Sequence, residues 1–176
     1  MKLFGFAGWS GSGKTTVIEQ VVPHLRDRGL SVSLIKHAHH NFDIDQPGKD
    51  SYRHRRAGCS EVLITSPLRW ALMHELRGEP ELTLPETLQR LSPCDLVLVE
   101  GYKRAAIPKL EVHRPAIGKP LLYPDDPQII GLATDLPDQF RDARLPVLDL
   151  SNVNGIAEFV IAHCTKLVFD KQVPSL

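Results

Sequence analysis

Gly8, Gly11 and Gly13, with Lys14 and Thr15 directly behind them, are the residues of this chain best suited to hold a phosphate group. They stand in Gly8-Trp9-Ser10-Gly11-Ser12-Gly13-Lys14-Thr15-Thr16, which fits the spacing G-x-x-x-x-G-K-S/T. The glycines permit a tight turn with backbone N–H groups facing inward, where side chains would block the phosphates. Lys14 brings positive charge to β- and γ-phosphates, and the Thr15 hydroxyl can ligate Mg2+. A helix opening behind the loop adds its free N–H groups and its dipole.

Ligands of open α/β sheets bind beyond the C-terminal ends of the strands, so the polar residues after each apolar run are the next candidates. These are Lys36, His37, Glu100, Lys103 and Asp135. Glu100 follows Leu96-Val97-Leu98-Val99, where an acid that holds Mg2+ directly or through water would stand. The plainer reading is a carboxylate capping the strand. Gly101 beside it suggests a close backbone approach. Residues 37–51 admit three readings. They can form a switch-type loop in which Asp50, at a helix start, is a second Mg2+ ligand. They can bind a transition metal through His37, His39 and His40, although no Cys lies nearby. Or they can form a solvated loop. Lys49, Arg53, Arg55 and Arg56 make a basic cluster, either a solvated helix face or a dock for an anionic substrate or acidic partner. Asp135 ends Gly131-Leu132-Ala133-Thr134 and can accept from guanine N1–H and the 2-amino group, or merely cap a strand. The N-K-x-D signature of many GTPases is absent.

The flanks of the glycine loop suit it. Leu3–Ala7 reads as a buried strand, and Val17, Ile18, Val21, Val22 and Leu25 recur at helical spacing until Gly29. Further strands are expected at 31–37, 62–65, 70–73, 95–101, 110–113, 129–134 and 146–150, with helices at 49–57, 84–91 and after Asn152. Strands alternating with helices predict an α/β three-layer sandwich with a mostly parallel sheet, of the P-loop nucleotide-binding type. The runs flanking Ser66–Arg69 predict an appended antiparallel hairpin. Residues 114–128, with four prolines, read as an irregular surface loop.

The 176 residues are most simply one nucleotide-binding domain over 1–168, with a mobile tail at 169–176. Lys plus Arg and Asp plus Glu are 21 each, so no basic field points to nucleic acid. Three scattered cysteines, no signal-peptide pattern and no membrane-length apolar run predict a cytoplasmic protein with free thiols and no membrane partner.

The glycine loop, Ile35-Lys36-His37-Ala38-His39-His40, Asp43-Ile44-Asp45-Gln46-Pro47-Gly48-Lys49-Asp50-Ser51, Arg69-Trp70-Ala71-Leu72-Met73 and Leu98-Val99-Glu100-Gly101-Tyr102-Lys103 together resemble the molybdopterin-guanine dinucleotide biosynthesis protein B (MobB) family. The likeness runs from about residue 3 to 163 and is weak over 104–128. It implies a GTP-binding adaptor with weak, Mg2+-dependent GTPase activity. Such an adaptor assists a MobA-type guanylyltransferase that joins GMP to molybdopterin. It further implies a homodimer with a contribution from sheet edges or hairpins, and a metal shell of Thr15, Asp50 and Glu100. On this reading Lys14, Asp50 and Glu100 carry the chemistry, while His37, His39, His40, Lys49, Arg53 and Lys103 contact a substrate or partner. Arg53 or Arg56 are weak candidates for an arginine finger. Two rivals remain: a P-loop small-molecule kinase or ATP-dependent ligase, and a non-catalytic module whose basic helix holds the pterin phosphate.

Overall fold

In the computed structural model, residues 1–38, 42–102 and 105–166 are described. His39, His40, Lys103 and the tail from residue 169 lie outside them. The chain forms two compact units, Met1–His37 with Leu84–Leu176 and Ala38–Thr83, at a division that the composition does not signal. In chain order the elements are β1 (Lys2–Ala7), α1 (Lys14–Asp27), β2 (Val32–Lys36), α2 (Asp50–Ala57), β3 (Glu61–Thr65), β4 (Trp70–His74), α3 (Leu84–Leu88), β5 (Leu96–Glu100), β6 (Lys109–His113), β7 (Ile129–Thr134), β8 (Val147–Asp149), α4 (Val153–His163) and β9 (Thr165–Lys166).

The first unit is built on a sheet of order β2-β5-β1-β6-β7-β8, parallel throughout. β9 adds an antiparallel pairing at Lys2 and Leu3, the part of β1 that precedes its pairing with β6. Alternation along the strands sorts the core into two layers. Phe4, Phe6, Leu96 and Leu98 pack with Val17, Ile18, Val21 and Leu25 of α1 and Ile156, Phe159 and Val160 of α4. Leu3, Val97, Val99 and Ile35 point the other way and pack with Leu84 and Leu88. This is the expected three-layer sandwich.

Several boundaries follow from local chemistry. α1 ends where Gly29 turns left-handed (φ 79°) and the N–H of Leu30 reaches back to the Leu25 carbonyl at 3.3 Å. α4 opens with the Asn152 side chain accepting from the Gly155 N–H at 2.9 Å. α3 stops at Leu88, short of the expected Leu91, and β9 carries no periodic signal in so few residues. The 114–128 segment is more ordered than a plain loop. It contains a 3-10 turn over Pro115–Ile117, and Glu111, fully buried, accepts the N–H groups of Leu122 and Tyr123 at 2.8 and 2.9 Å.

In the second unit the hairpin forms as expected, but as a separate two-stranded sheet rather than an extension of the main one. α2 has no buried residue on an apolar face. Its anchor is Arg55, whose side chain is only 12% exposed and bonds Asp43, Asp45 and Glu75. These carboxylates push the Arg55 pKa up, and the same bond holds Asp43 below the usual carboxylate range. Arg55 is thus committed internally, so neither reading of the basic cluster, a solvated helix face or a dock, describes this residue. Lys49 precedes α2, and Asp50 pairs with Arg53 at 3.7 Å on the exposed surface of the helix.

Candidate functional site

The parallel register brings the C-terminal ends of β1, β2 and β5 level. Phe6 and Lys36 both pair with Glu100, so the loop after β1 begins beside the last residues of its two neighbours. Gly8 leaves the strand with φ 140°, and a Cβ there would lie 2.4 Å from the Val112 carbonyl oxygen. Only glycine fits both the angle and the space. Gly13 stands as the left-handed residue before α1, and the helix begins at Lys14, the required strand–loop–helix order. Ser12 is buried, whereas Ser10, Gly11, Thr15 and Thr16 are exposed. The Lys14 ammonium donates to the carbonyls of Gly8 and Trp9, both at 3.0 Å, which curls it over the loop.

Glu100 is 7% exposed at the end of β5. Its Oε1 accepts from the Thr15 hydroxyl at 3.2 Å, and its Oε2 lies 3.3 Å from the Lys36 ammonium. Lys36 also reaches Thr15 Oγ1 at 3.5 Å. A nearly buried carboxylate demands a cation, and here a lysine ammonium supplies it beside the Thr15 hydroxyl. This oxygen pair and its stand-in cation fit Mg2+, which takes one or two carboxylates and keeps several waters. Gly101 (φ 95°) lets the chain turn after Glu100: a Cβ there would meet the His37 Cβ at 2.7 Å. His37 packs its ring 4.7 Å from that of Tyr102, whose hydroxyl meets Thr87 Oγ1 at 3.0 Å. The close approach expected at Gly101 is therefore present.

On the other flank, Asp135 Oδ2 accepts from Arg114 Nη1 at 2.7 Å, and Arg114 lies against Gly13. Trp9 donates its indole N–H to the Pro120 carbonyl at 2.8 Å, and the Lys119 ammonium stands 5.9 Å from the Trp9 ring centre. Arg114 escaped the sequence reading because it sits in a proline-rich stretch 100 residues from the loop. The only signal was its place directly after an apolar strand. His113, buried before it, lies edge-on to Phe140 with ring centres 5.6 Å apart, and burial pushes its pKa down.

The first unit thus unites Gly8–Thr16, Lys36, Glu100 and Asp135. Asp50, Lys49 and Arg53 belong to the second unit. Among the described residues no three His, Cys, Asp or Glu side chains converge as a metal site. No helix among them is long and apolar enough to cross a membrane.

The sequence profile of the family described as "MobB: Molybdopterin guanine dinucleotide synthesis protein B" matches residues 3–135. The chain belongs to the MobB family. It is 42% identical over 167 residues to the molybdopterin-guanine dinucleotide biosynthesis adapter protein of Escherichia coli K12, covering 93% of this chain and 94% of that one. The Haemophilus influenzae adapter protein of the same name is 42% identical over 159 residues, covering 90% and 86%. A crystal structure of molybdopterin-guanine biosynthesis protein B superposes with a TM-score of 0.69 at 27% identity, covering 91% of this chain and 98% of that MobB chain. The matched span, residues 3–135, includes the glycine loop, Glu100, Arg114 and Asp135.

Proposed function

We propose that this MobB-family chain is a Mg2+-dependent GTP-binding adaptor for molybdopterin guanylation, acting with a MobA-type guanylyltransferase. The observation that carries the nucleotide reading is the glycine loop with Lys14 and the Thr15–Glu100 pair at 3.2 Å. The loop amides and Lys14 bind the phosphates. Thr15 and Glu100 hold Mg2+, which when bound offsets phosphate charge. Hydrolysis is slow and secondary to the adaptor role. The names of the 42% identical relatives support the pathway and the adaptor character.

Calorimetry with non-hydrolysable GTP and ATP analogues, with and without Mg2+, tests this. The GTP analogue binds more tightly, and Mg2+ strengthens binding. Glu100→Gln removes at least about tenfold of the Mg2+ enhancement, the scale seen when groups ordering a metal are lost, and leaves metal-free binding unchanged. Equal or better binding of the ATP analogue refutes the guanine assignment and favours a kinase or ligase.

The same reading includes a homodimer through the hairpin. Leu63 and Leu72 pair across β3 and β4, with Trp70 two residues along on the same face. Their exposures of 61, 47 and 64% leave an unusual apolar surface on one short sheet. Leu63→Glu shifts the sedimentation coefficient from dimer to monomer. A wild type that sediments as a monomer at micromolar concentration refutes the dimer.

A further inference from the structure

We propose that Arg114 is a built-in arginine of the nucleotide site, contacting the phosphate chain, and that Asp135 is the residue that positions it. The proposal rests on the GTP-binding reading above. β6 and β7 pair His113 with Thr134, so the residues that follow them, Arg114 and Asp135, leave the sheet side by side at its C-terminal edge. There the Arg114 Nη1 donates to Asp135 Oδ2 at 2.7 Å. The guanidinium runs on to the phosphate loop. Its Nε and Nη2 lie 3.3 and 3.6 Å from where a Cβ on Gly13 would stand. Gly13 therefore makes room for the arginine as well as for a close turn.

Both side chains of the pair are 36% exposed. A pair this open contributes little to stability, yet it limits where the guanidinium can point. With one arm on Asp135, the planar fork still has donors to present to an anion. The segment that follows is held to the same loop through the Trp9–Pro120 bond, with Lys119 beside the Trp9 ring. The loop therefore carries cationic side chains from two directions, Lys14 from within and Arg114 from β6. Asp135, read from sequence either as a reader of the guanine edge or as a strand cap, here has its carboxylate on Arg114.

Binding of GDP, a non-hydrolysable GTP analogue and the matching ATP analogue, all with Mg2+, is measured for wild type, Arg114→Ala, Arg114→Lys and Asp135→Asn, alongside thermal unfolding. Arg114→Ala weakens GDP and the GTP analogue by about ten- to a hundredfold, the size of a lost charge-assisted bond. Its melting temperature and guanine-to-adenine ratio stay at the wild-type values. Arg114→Lys recovers part of the affinity, and Asp135→Asn loses a smaller factor with the base ratio unchanged. Wild-type affinity in Arg114→Ala overturns the proposal. So does an Asp135→Asn variant that loses guanine preference while keeping its phosphate affinity, since that makes Asp135 the base reader. A wild type that binds no nucleotide refutes the GTP reading itself, a result distinct from wild type and Arg114→Ala binding alike.

Discussion

Lys14→Ala is expected to weaken binding of Mg2+–GTP by about a hundredfold or more, because charge-assisted bonds to phosphate are each worth roughly 1.5–3 kcal/mol. The lysine ammonium rests on the Gly8 and Trp9 carbonyls at 3.0 Å, folded over the glycine loop that would hold the phosphates on the proposed reading. Its removal leaves the core untouched, since the apolar face of α1 is made by Val17, Ile18, Val21 and Leu25. Melting temperature therefore stays close to wild type while nucleotide affinity collapses, and calorimetry beside a thermal scan separates the two. The same variant divides the rival functions. A kinase, a ligase and a GTP-dependent adaptor all lose nucleotide binding. A module that only holds molybdopterin through its basic residues keeps its ligand. Unchanged GTP affinity in Lys14→Ala refutes the phosphate-loop reading.

Phe4→Ala is expected to carry the largest loss of stability, about 3–5 kcal/mol for a fully buried aromatic ring. Phe4 is 0% exposed at the middle of β1. Its ring meets Phe6 at 5.7 Å and Phe159 at 6.1 Å, both edge-on. These contacts join the sheet to α4 in the layer that also holds α1. The cavity cannot close easily, because Phe159 is wedged on its other side over Gly131, where a Cβ would lie 2.6 Å from its ring. Chemical denaturation read by circular dichroism measures the effect. A loss below about 1 kcal/mol is far outside the usual range for such a change and refutes the packing argument. Below its lowered melting temperature, the variant should still bind nucleotide, because the loop residues themselves are unchanged.

The glycine loop was legible from sequence because its requirements are local. Positive φ, inward N–H groups, one lysine and one hydroxyl all fall within nine consecutive residues. β1, β5 and α1 were legible for a similar reason: continuous apolar runs mark strands buried on both faces, and a 3.6-residue stripe marks the helix. The Asn152 cap and the glycine stop after α1 are likewise short-range chemistry. β9 was not legible, since two residues carry no period. The order of residues 114–128 was hidden too, because it depends on Glu111 collecting backbone N–H groups from eleven and twelve positions away. The basic cluster on α2 misled in part. Composition cannot tell a solvated arginine from one, like Arg55, that three carboxylates draw inward.

The sequence by itself determined the family, the α/β class, the glycine loop between strand and helix and the carboxylate of Glu100 at a strand end, all carried by contiguous patterns that local sterics and periodicity enforce. Tertiary structure decided which distant groups meet. It set Glu100 between Thr15 and Lys36, because parallel pairing levels the ends of β1, β2 and β5. It paired Asp135 with Arg114 beside Gly13, because β6 and β7 run in register to that edge. Such meetings depend on strand order and register, which side-chain packing across the whole sheet selects and which no short stretch of residues encodes.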